Sequence, residues 1–224
     1  MILRFFLFIF VIHSINASAI NENEIPSLIK AVLDLDTARV SELLSAQKNP
    51  NVEYRGTPAI LFSIDRQRGC SLSILKLLIN AGADVNLIDP LTKTSALHLA
   101  ATVGNSKCFD LLLNNGADPL VADNTQSTIA HRACESGNLH ILNAAISEGV
   151  PIDDAAVQGV TPLMIASFSG HRSQVERLLT MGSVDACKRD VRGRTSKDMA
   201  KLQGHEAIAK LLPDCARQQK WKSE

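Results

Sequence analysis

The closest approach to a catalytic pair in this sequence is a histidine followed three residues later by a cysteine. His131 and Cys134 have this spacing, which places two side chains on one side of a helix, where an imidazole can activate a thiolate. No obvious Asn or Asp stands where it would orient the imidazole. The sequence also lacks a phosphate-binding loop, a Cys-x-x-Cys pair, a Gly-x-Ser-x-Gly turn and a calcium-binding loop of the Asp-x-Asp type. We therefore expect no enzymatic activity and no cofactor.

Helices must position these residues, and the helical pattern repeats along the chain. Thr161 can cap a helix that Gly170 ends, and a second helix then runs up to Gly182. That second helix has three apolar residues on one face: Val175, Leu178 and Leu179. Capping residues recur at intervals of 33 or 34 (128 − 95 = 33, 161 − 128 = 33, 195 − 161 = 34), at Ser95, Thr128, Thr161 and Thr195. This period indicates a stack of repeated helix pairs.

Three stretches carry a likeness to the T-P-L-H-x-A opening of the ankyrin repeat. They are residues 95–100, 128–133 and 161–166. An inter-helix glycine falls at matching positions, namely Gly104, Gly137, Gly170 and Gly204, and a Gly-Ala-Asp ending falls at residues 82–84 and 116–118. The chain thus resembles the ankyrin repeat family. The resemblance implies an all-α fold, an ankyrin-repeat solenoid whose helix-turn-helix units are joined by β-hairpin-like loops.

The resemblance also implies structural roles for most histidines and for two cysteines. His98 and His131 occupy the position where the family's histidine supports the turn by hydrogen bonding, and His171 and His205 follow the inter-helix glycine. Helices of adjacent repeats stack about 8–10 Å apart, which is too far for His98 and His131 to share a zinc ion through bonds of about 2 Å. We expect no metal site. Cys134 replaces a small Ala and Cys108 lies near an apolar helix face, so we expect both to behave as small buried hydrophobic residues.

The repeats predicted from this register fill residues 20–215, and 216–224 form a flexible basic tail that contains Trp221. The predicted boundaries are about 24–55, 56–93, 94–126, 127–159, 160–193 and 194–215. The first repeat is degenerate, with Leu35 in place of the turn glycine, and Lys197 replaces an apolar residue in the last. The second has four extra residues around 65–70. We expect them to bulge from the turn between its two helices, either as a functional loop or as a tolerated insertion.

The first 19 residues predict a cleaved secretory signal. Arg4 is their only charged residue, residues 5–12 are an unbroken apolar run, and residues 17–19 are small. The apolar run is too short to cross about 30 Å of hydrocarbon, which disfavours a membrane anchor. We therefore expect a mature chain that begins near Ile20 and is secreted or otherwise extracytoplasmic, in the lumen of the secretory pathway or the periplasm. The alternatives are a buried cap helix, or an intracellular adaptor or host-directed effector that keeps its N-terminus.

Composition limits the partners. The 23 basic and 23 acidic residues balance, so we expect no nucleic-acid binding and no membrane binding after signal cleavage. We also expect a monomer. The five cysteines are an odd, scattered set, which leaves open whether Cys187 and Cys215 pair near the C-terminal end.

A protein-binding surface is the remaining function that the resemblance implies. In the family, loop tips and the exposed sides of the first helices form a concave groove for one or more partner proteins. Carried over by position, the predicted binding residues are Tyr54, Leu91, Thr92, Asn124, Thr125, Glu135, Val157, Gln158, Val160, Phe168, Arg192 and Arg194.

Phe168 is the predicted centre of this surface. Val157, Val160 and Val191 would surround it, and Glu135 with the basic residues Lys188, Arg189, Arg192 and Arg194 would form a charged rim. Such a surface fits a partner with an apolar side chain beside acidic groups. The alternative is that the Phe168 ring folds against the neighbouring loop.

Overall fold

The computed structural model describes residues 25–215. The predicted signal, residues 1–19, and the predicted basic tail, residues 216–224, lie outside the described residues. The chain divides into two compact units, Met1–Thr125 and Gln126–Glu224. The described part of the first, residues 25–125, is called the N-terminal unit. The described part of the second, residues 126–215, is called the C-terminal unit.

The N-terminal unit contains three pairs of helices and two small antiparallel hairpins. The helices are α1 (Ser27–Leu33), α2 (Thr37–Ser45), α3 (Ala59–Phe62), α4 (Leu72–Asn80), α5 (Ala96–Thr102) and α6 (Ser106–Asn114). The hairpins pair β1 (Glu53–Tyr54) with β2 (Thr57–Pro58), and β3 (Ile64–Asp65) with β4 (Gly69–Cys70). Helix α3 has four residues, whereas α1 and α5, the first helices of the other two pairs, have seven each.

Polar side chains fix where several of these helices begin. The side-chain oxygens of Asp36, Ser95 and Asn105 accept hydrogen bonds from backbone N–H groups in the first turns of α2, α5 and α6. These N–H groups have no partner within the helix, so the caps satisfy donors that would otherwise be lost. Helices of seven to nine residues are marginal alone, and their stability therefore comes from packing.

Apolar residues at helical spacing form the core of this unit. The largest fully buried side chains include Ile29, Ile74, Leu75, Leu78, Phe109 and Leu112. Asparagine side chains join successive pairs outside this core, because Asn51 accepts from the Asp84 N–H and Asn86 accepts from the Asp118 N–H, each at 2.8 Å. Leu35 adopts φ 56°, the left-handed conformation that glycine adopts at other turns.

The extra residues of the second helix pair form the β3–β4 hairpin, which lies between α3 and α4 as expected. Cys70, at the end of β4, forms a disulfide with Cys108 in α6, with a Cα–Cα distance of 6.6 Å. The expectation that Cys108 is a small buried hydrophobe is therefore only half right. Its side chain is buried, but it is covalently bonded to the insertion.

The C-terminal unit contains three further helix pairs. They are α7 (Ile129–Ser136) with α8 (Leu139–Ser147), α9 (Pro162–Ser169) with α10 (Arg172–Leu179), and α11 (Ser196–Leu202) with α12 (Glu206–Ala209). The Thr161 hydroxyl accepts a hydrogen bond from the Met164 N–H, which confirms the predicted cap of α9. Val175 and Leu178 are fully buried on α10. That helix ends at Leu179, three residues before the predicted end at Gly182.

Glycine and histidine join successive pairs in this unit. The His171 ring lies against Gly137, where an added Cβ would be 2.6 Å from the ring, and His205 lies in the same way against Gly170 at 2.7 Å. Both glycines have φ near +80°, so a side chain is disfavoured there both by the ring and by the backbone. The His171 Nε2 is 3.3 Å from the Glu135 carbonyl oxygen, which ties α10 to the end of α7.

The last helix pair is closed by an ion pair and by a disulfide. The Lys197 amine donates to the Leu212 carbonyl at 3.1 Å and lies 2.7 Å from the Asp214 carboxylate. Cys187 and Cys215, whose pairing the sequence leaves open, are bonded, with a Cα–Cα distance of 5.5 Å. Among residues 25–215, no helix is long and apolar enough to span a membrane.

Candidate protein-binding surface

Loop tips connect successive helix pairs, and the tip between the second and the third pair is built around a buried aspartate. It comprises residues 89–94 (the 89 tip). Asp89 is 4% exposed, and one carboxylate oxygen accepts from the backbone N–H groups of Leu91 and Thr92, at 3.1 and 2.8 Å. The other oxygen accepts from the Thr57 hydroxyl at 2.7 Å. The carboxylate thus takes up donors that the turn leaves without backbone partners.

Aspartates have the same role in two further tips, residues 123–125 (the 123 tip) and 190–194 (the 190 tip). Asp123 accepts from the N–H and the hydroxyl of Thr125. Asp190 accepts from the N–H groups of Arg192 and Arg194, each at 2.9 Å. Its second oxygen receives two bonds from the Arg194 guanidinium, at 2.8 and 2.6 Å. Paired bonds of this kind are among the stronger ones in proteins.

These contacts hold the carboxylates in their charged form. Burial alone would raise the pKa of Asp89, but hydrogen bonds from Thr92 and Thr57 outweigh it, so the pKa lies below the ordinary value of 3.8. For Asp190, burial again opposes the charge, and the Arg194 side chain with the Arg194 and Arg192 N–H groups lowers the pKa below that value. Both tips are therefore held by anions at neutral pH.

Residues 156–160 (the 156 tip) lack this aspartate. Ala156 stands five residues before the capping Thr161, as Asp190 stands five before Thr195. The loop closes instead by backbone bonds. The Ala156 N–H donates to the Val160 carbonyl, and the Gly159 N–H donates to the Ala156 carbonyl. Gln158 has φ 66°, so a non-glycine residue is in the left-handed conformation here.

Within each unit, adjacent tips are joined while apolar side chains remain exposed. The Asn124 N–H donates to the Thr92 carbonyl in the N-terminal unit, and the Val191 N–H donates to the Gln158 carbonyl in the C-terminal unit, each at 2.9 Å. The apolar side chains at these tips are Leu91, 69% exposed, Val157, 51%, and Val191, 70%. Their backbones are fixed, so such side chains can be covered by a partner without much loss of backbone entropy.

The structure places most of the predicted binding residues at or near the surface. Leu91, Asn124, Val157 and Arg192 are exposed, while the half-buried ones are Thr92, Thr125, Glu135, Gln158, Val160, Phe168 and Arg194. Tyr54 is the exception, because its side chain is buried at 7% exposure and the Arg55 guanidinium lies over its ring at 5.4 Å. The expectation of a tyrosine at an exposed tip is wrong. Strand β1 is too short to reveal in advance which of its residues turns inward.

Most side chains of the predicted basic rim bind other groups of the same chain. Arg194 binds Asp190, Lys188 lies 2.7 Å from the Asp153 carboxylate, and Arg189 donates to the Gly193 and Cys215 carbonyls. These three side chains hold loops together. Lys188, Arg189 and Arg194 are half-buried in the part of the chain that the structure describes, whereas Arg192 is exposed. Among these four basic residues, the Arg192 side chain is therefore the most exposed at this surface.

Two predicted binding residues, Glu135 and Phe168, lie on the first helices of their pairs and are only partly exposed. The Glu135 carboxylate lies 3.2 Å from the Arg132 guanidinium, and both side chains are largely buried. Phe168 is half-buried, and its carbonyl accepts from His205 at 3.1 Å. Val157 and Val191 of the 156 and 190 tips are more exposed than Phe168, whose place at the centre of the surface stays a prediction.

Four of the described histidines, His98, His131, His171 and His205, make structural contacts, and the remaining cysteine is buried. His98 and His131 complete capping boxes with Ser95 and Thr128. Cys134 is a buried thiol, and burial raises its pKa far above the usual range, which suppresses the reactive thiolate. No cluster of three potential metal ligands occurs among residues 25–215. Sequence reasoning missed the tip aspartates, although their spacing of five or six residues before Ser95, Thr128 and Thr195 was a usable signal.

Short helix pairs, left-handed glycines at their turns and hydrogen-bonded loop tips define a protein built from helical repeats. Its family is the ankyrin repeat family: a model described as ankyrin repeats (three copies) matches residues 64–155 and 130–221, and the chain belongs to that family. The all-α ankyrin-repeat solenoid expected from the sequence is confirmed as the fold class. Domains of this class typically bind proteins and are typically not catalytic.

Similar curated proteins are much longer than the matched region. A transient receptor potential cation channel subfamily A member 1 homolog of Caenorhabditis elegans is 33% identical over 118 residues, 53% of this chain and 10% of that protein. The palmitoyltransferase AKR1 of Lachancea kluyveri is 32% identical over 146 residues, 63% of this chain and 20% of that protein. The ankyrin repeat and KH domain-containing protein mask-1 of C. elegans is 32% identical over 125 residues, which is 55% of this chain and 5% of that protein.

Proposed function

We propose that this chain is a non-catalytic protein-binding module of about six ankyrin repeats, exported from the cytoplasm as a monomer. It binds a partner protein through its loop tips, with Leu91 and Thr92 in the N-terminal unit and Val157, Gln158 and Val191 in the C-terminal unit. Arg192 supplies a positive charge beside the two valines. The partner segment that fits the 156 and 190 tips has an apolar side chain next to a carboxylate.

The observation that carries this proposal is the exposure of apolar side chains on tips whose backbones are immobilised. Leu91 and Val191 are about 70% exposed. Their backbones are held by Asp89 and by the Gln158 carbonyl respectively. Apolar side chains on rigid, polar-rimmed loops are typical of the anchors in protein interfaces.

Two observations support export. The first 19 residues have the composition of a secretory signal. In addition, four of the five cysteines form disulfides, which are typical of oxidising compartments and rare in the cytosol. N-terminal sequencing of the protein from its native source tests the first point. A start near Ile20 is expected, and retention of Met1 or of the second residue would instead favour an intracellular adaptor.

Binding is tested by capture with the mature chain, residues 20–224, from extracellular fluid of the source organism, followed by mass spectrometry. Candidates are then purified, and their affinities for the wild type and for the Val191→Asp and Arg192→Ala variants are measured. Val191→Asp is expected to weaken binding at least tenfold, because a buried unpaired carboxylate replaces an apolar anchor. Arg192→Ala is expected to weaken it severalfold, mainly at low salt.

Leu120→Asp is the matched control, because Leu120 is a 56% exposed apolar side chain outside the predicted binding set. This variant is expected to retain full affinity, and all variants should keep the wild-type melting temperature within about 2 °C, since surface changes seldom alter stability much. Equal loss of binding in the control and in Val191→Asp would contradict the proposed surface.

A further inference from the structure

The β3–β4 hairpin lies within the second helix pair, just after its short first helix, α3. Helix α3 ends at Phe62 after a single turn, and the chain continues directly into β3. One turn of helix fixes several backbone angles for very few hydrogen bonds and is unfavourable by itself. The second helix pair therefore lacks the second helical turn that α1 and α5 have, although Ile60, Leu61 and Ile64 are fully buried.

The hairpin itself is well ordered by local contacts. Ile64 pairs with Cys70 and Asp65 with Gly69. The buried Asp65 carboxylate accepts from the N–H groups of Gln67 and Arg68, at 2.6 and 2.8 Å, which closes the loop. Where the hairpin meets α4, the Ser71 N–H donates to the Ser63 carbonyl at 2.9 Å.

Two further contacts join the hairpin to the helix pairs on either side. On one side, the Arg68 guanidinium donates to the Leu33 carbonyl at 2.8 Å. Leu33 is the last residue of α1, so a cation lies at a helix end whose carbonyls lack helical partners. On the other side, Cys70 is bonded to Cys108 in the first turn of α6. A seven-residue hairpin thus connects three consecutive helix pairs.

We propose that the β3–β4 hairpin is an oxidation-dependent brace that replaces the missing turn of α3. With the Cys70–Cys108 bond formed, the brace holds the second helix pair against its neighbours. A dithiol reductant breaks the bond, with two electrons and two protons converting the disulfide to two thiols while the dithiol is oxidised to its own disulfide. The hairpin then keeps its buried Ile64, its own hydrogen bonds and the Arg68 contact, but it loses its covalent link to α6. The N-terminal unit consequently reaches full stability only in an oxidising compartment.

The other disulfide provides an internal comparison. Cys187 and Cys215 join the loop before α11 to the segment after α12 and so close the last helix pair alone. Both disulfides close loops of similar length, with sequence separations of 38 and 28. They should therefore constrain the unfolded chain to a similar extent, and a local effect at α3 and α4 would distinguish the brace from a general loss of cross-links.

Hydrogen exchange followed by mass spectrometry tests the brace in the Cys70→Ala/Cys108→Ala variant, with Cys187→Ala/Cys215→Ala as the matched control. Protection of residues 59–62 and 72–80 is expected to fall at least tenfold in the first variant and to remain within twofold of wild type in the second. Equal protection of these segments in both variants would overturn the proposal, as would alkylation of Cys70 or Cys108 in the folded, unreduced protein.

A second measurement keeps the test decisive if the Cys70→Ala/Cys108→Ala variant does not fold. The oxidised wild type is folded first and then treated with dithiothreitol under native conditions. Exchange at residues 59–80 is expected to rise with the appearance of the Cys70 and Cys108 thiols, measured by alkylation. Unchanged exchange after both thiols have appeared would also refute the brace. None of these measurements depends on the proposed partner binding.

Discussion

The 190 tip and the 156 tip reach the same loop position by different means. In the 190 tip, a buried aspartate gathers two backbone N–H groups and an arginine side chain. In the 156 tip, alanine replaces the aspartate, and the loop closes through its own backbone with Gln158 in a left-handed conformation. One tip depends on a charge and the other on a backbone angle. The two tips thus occupy corresponding places in the repeat but are held by different sets of bonds.

The largest difference between the two tips should appear when Asp190 is removed. Asp190→Ala leaves the Arg192 and Arg194 N–H groups and the Arg194 guanidinium without their acceptor. We expect a loss of about 2–4 kcal/mol in the free energy of unfolding, because these donors lose a buried, charged acceptor. Urea denaturation followed by circular dichroism measures this loss.

Asp154→Ala is the control for that measurement, since Asp154 is an exposed carboxylate near the 156 tip. Its removal should change the free energy of unfolding by less than about 0.5 kcal/mol, as is usual for surface substitutions. If the Asp190 and Asp154 variants were equally stable, the aspartate would not be what holds the 190 tip.

A smaller effect is expected from acid. The folded-state pKa of Asp190 lies below its ordinary value of 3.8, so the carboxylate stabilises the fold above that pH. This contribution is lost as the pH falls from about 4 through the lower folded-state pKa, because the unfolded chain binds the proton first. The 89 tip should follow the same rule, since the pKa of Asp89 is also lowered.

Asp190→Asn isolates this acid effect, because the amide keeps the shape of the side chain but does not titrate. Urea midpoints of the wild type and of Asp190→Asn should differ most near neutral pH and converge toward pH 3. A constant difference across that range would show that the charge of Asp190 has no part in the stability of the tip.

The sequence predicts the regular parts of this molecule better than its exceptions. Thr161 and Gly170 could be assigned because caps and left-handed turns depend on residue types at fixed spacings. The Cys70–Cys108 bond could not be predicted, since it depends on how an insertion without a repeat counterpart folds onto the next helix pair. The ion pair between Arg194 and Asp190 was missed for a similar reason. A charge in a loop does not reveal from sequence alone whether a buried carboxylate lies beside it.

The smallest expected effect concerns Gln158, at which the 156 tip depends on a positive φ of 66°. Gln158→Gly removes the steric cost of the left-handed conformation but gives the unfolded chain more freedom, so we expect a net gain of no more than about 1 kcal/mol. Gln158→Val should instead lose about 1–2 kcal/mol, because β-branched side chains tolerate this conformation poorly. Thermal denaturation of the two variants distinguishes these outcomes. Equal melting temperatures would mean that the loop relaxes to another conformation, and the backbone angle would then not be what positions Val157 beside the 190 tip.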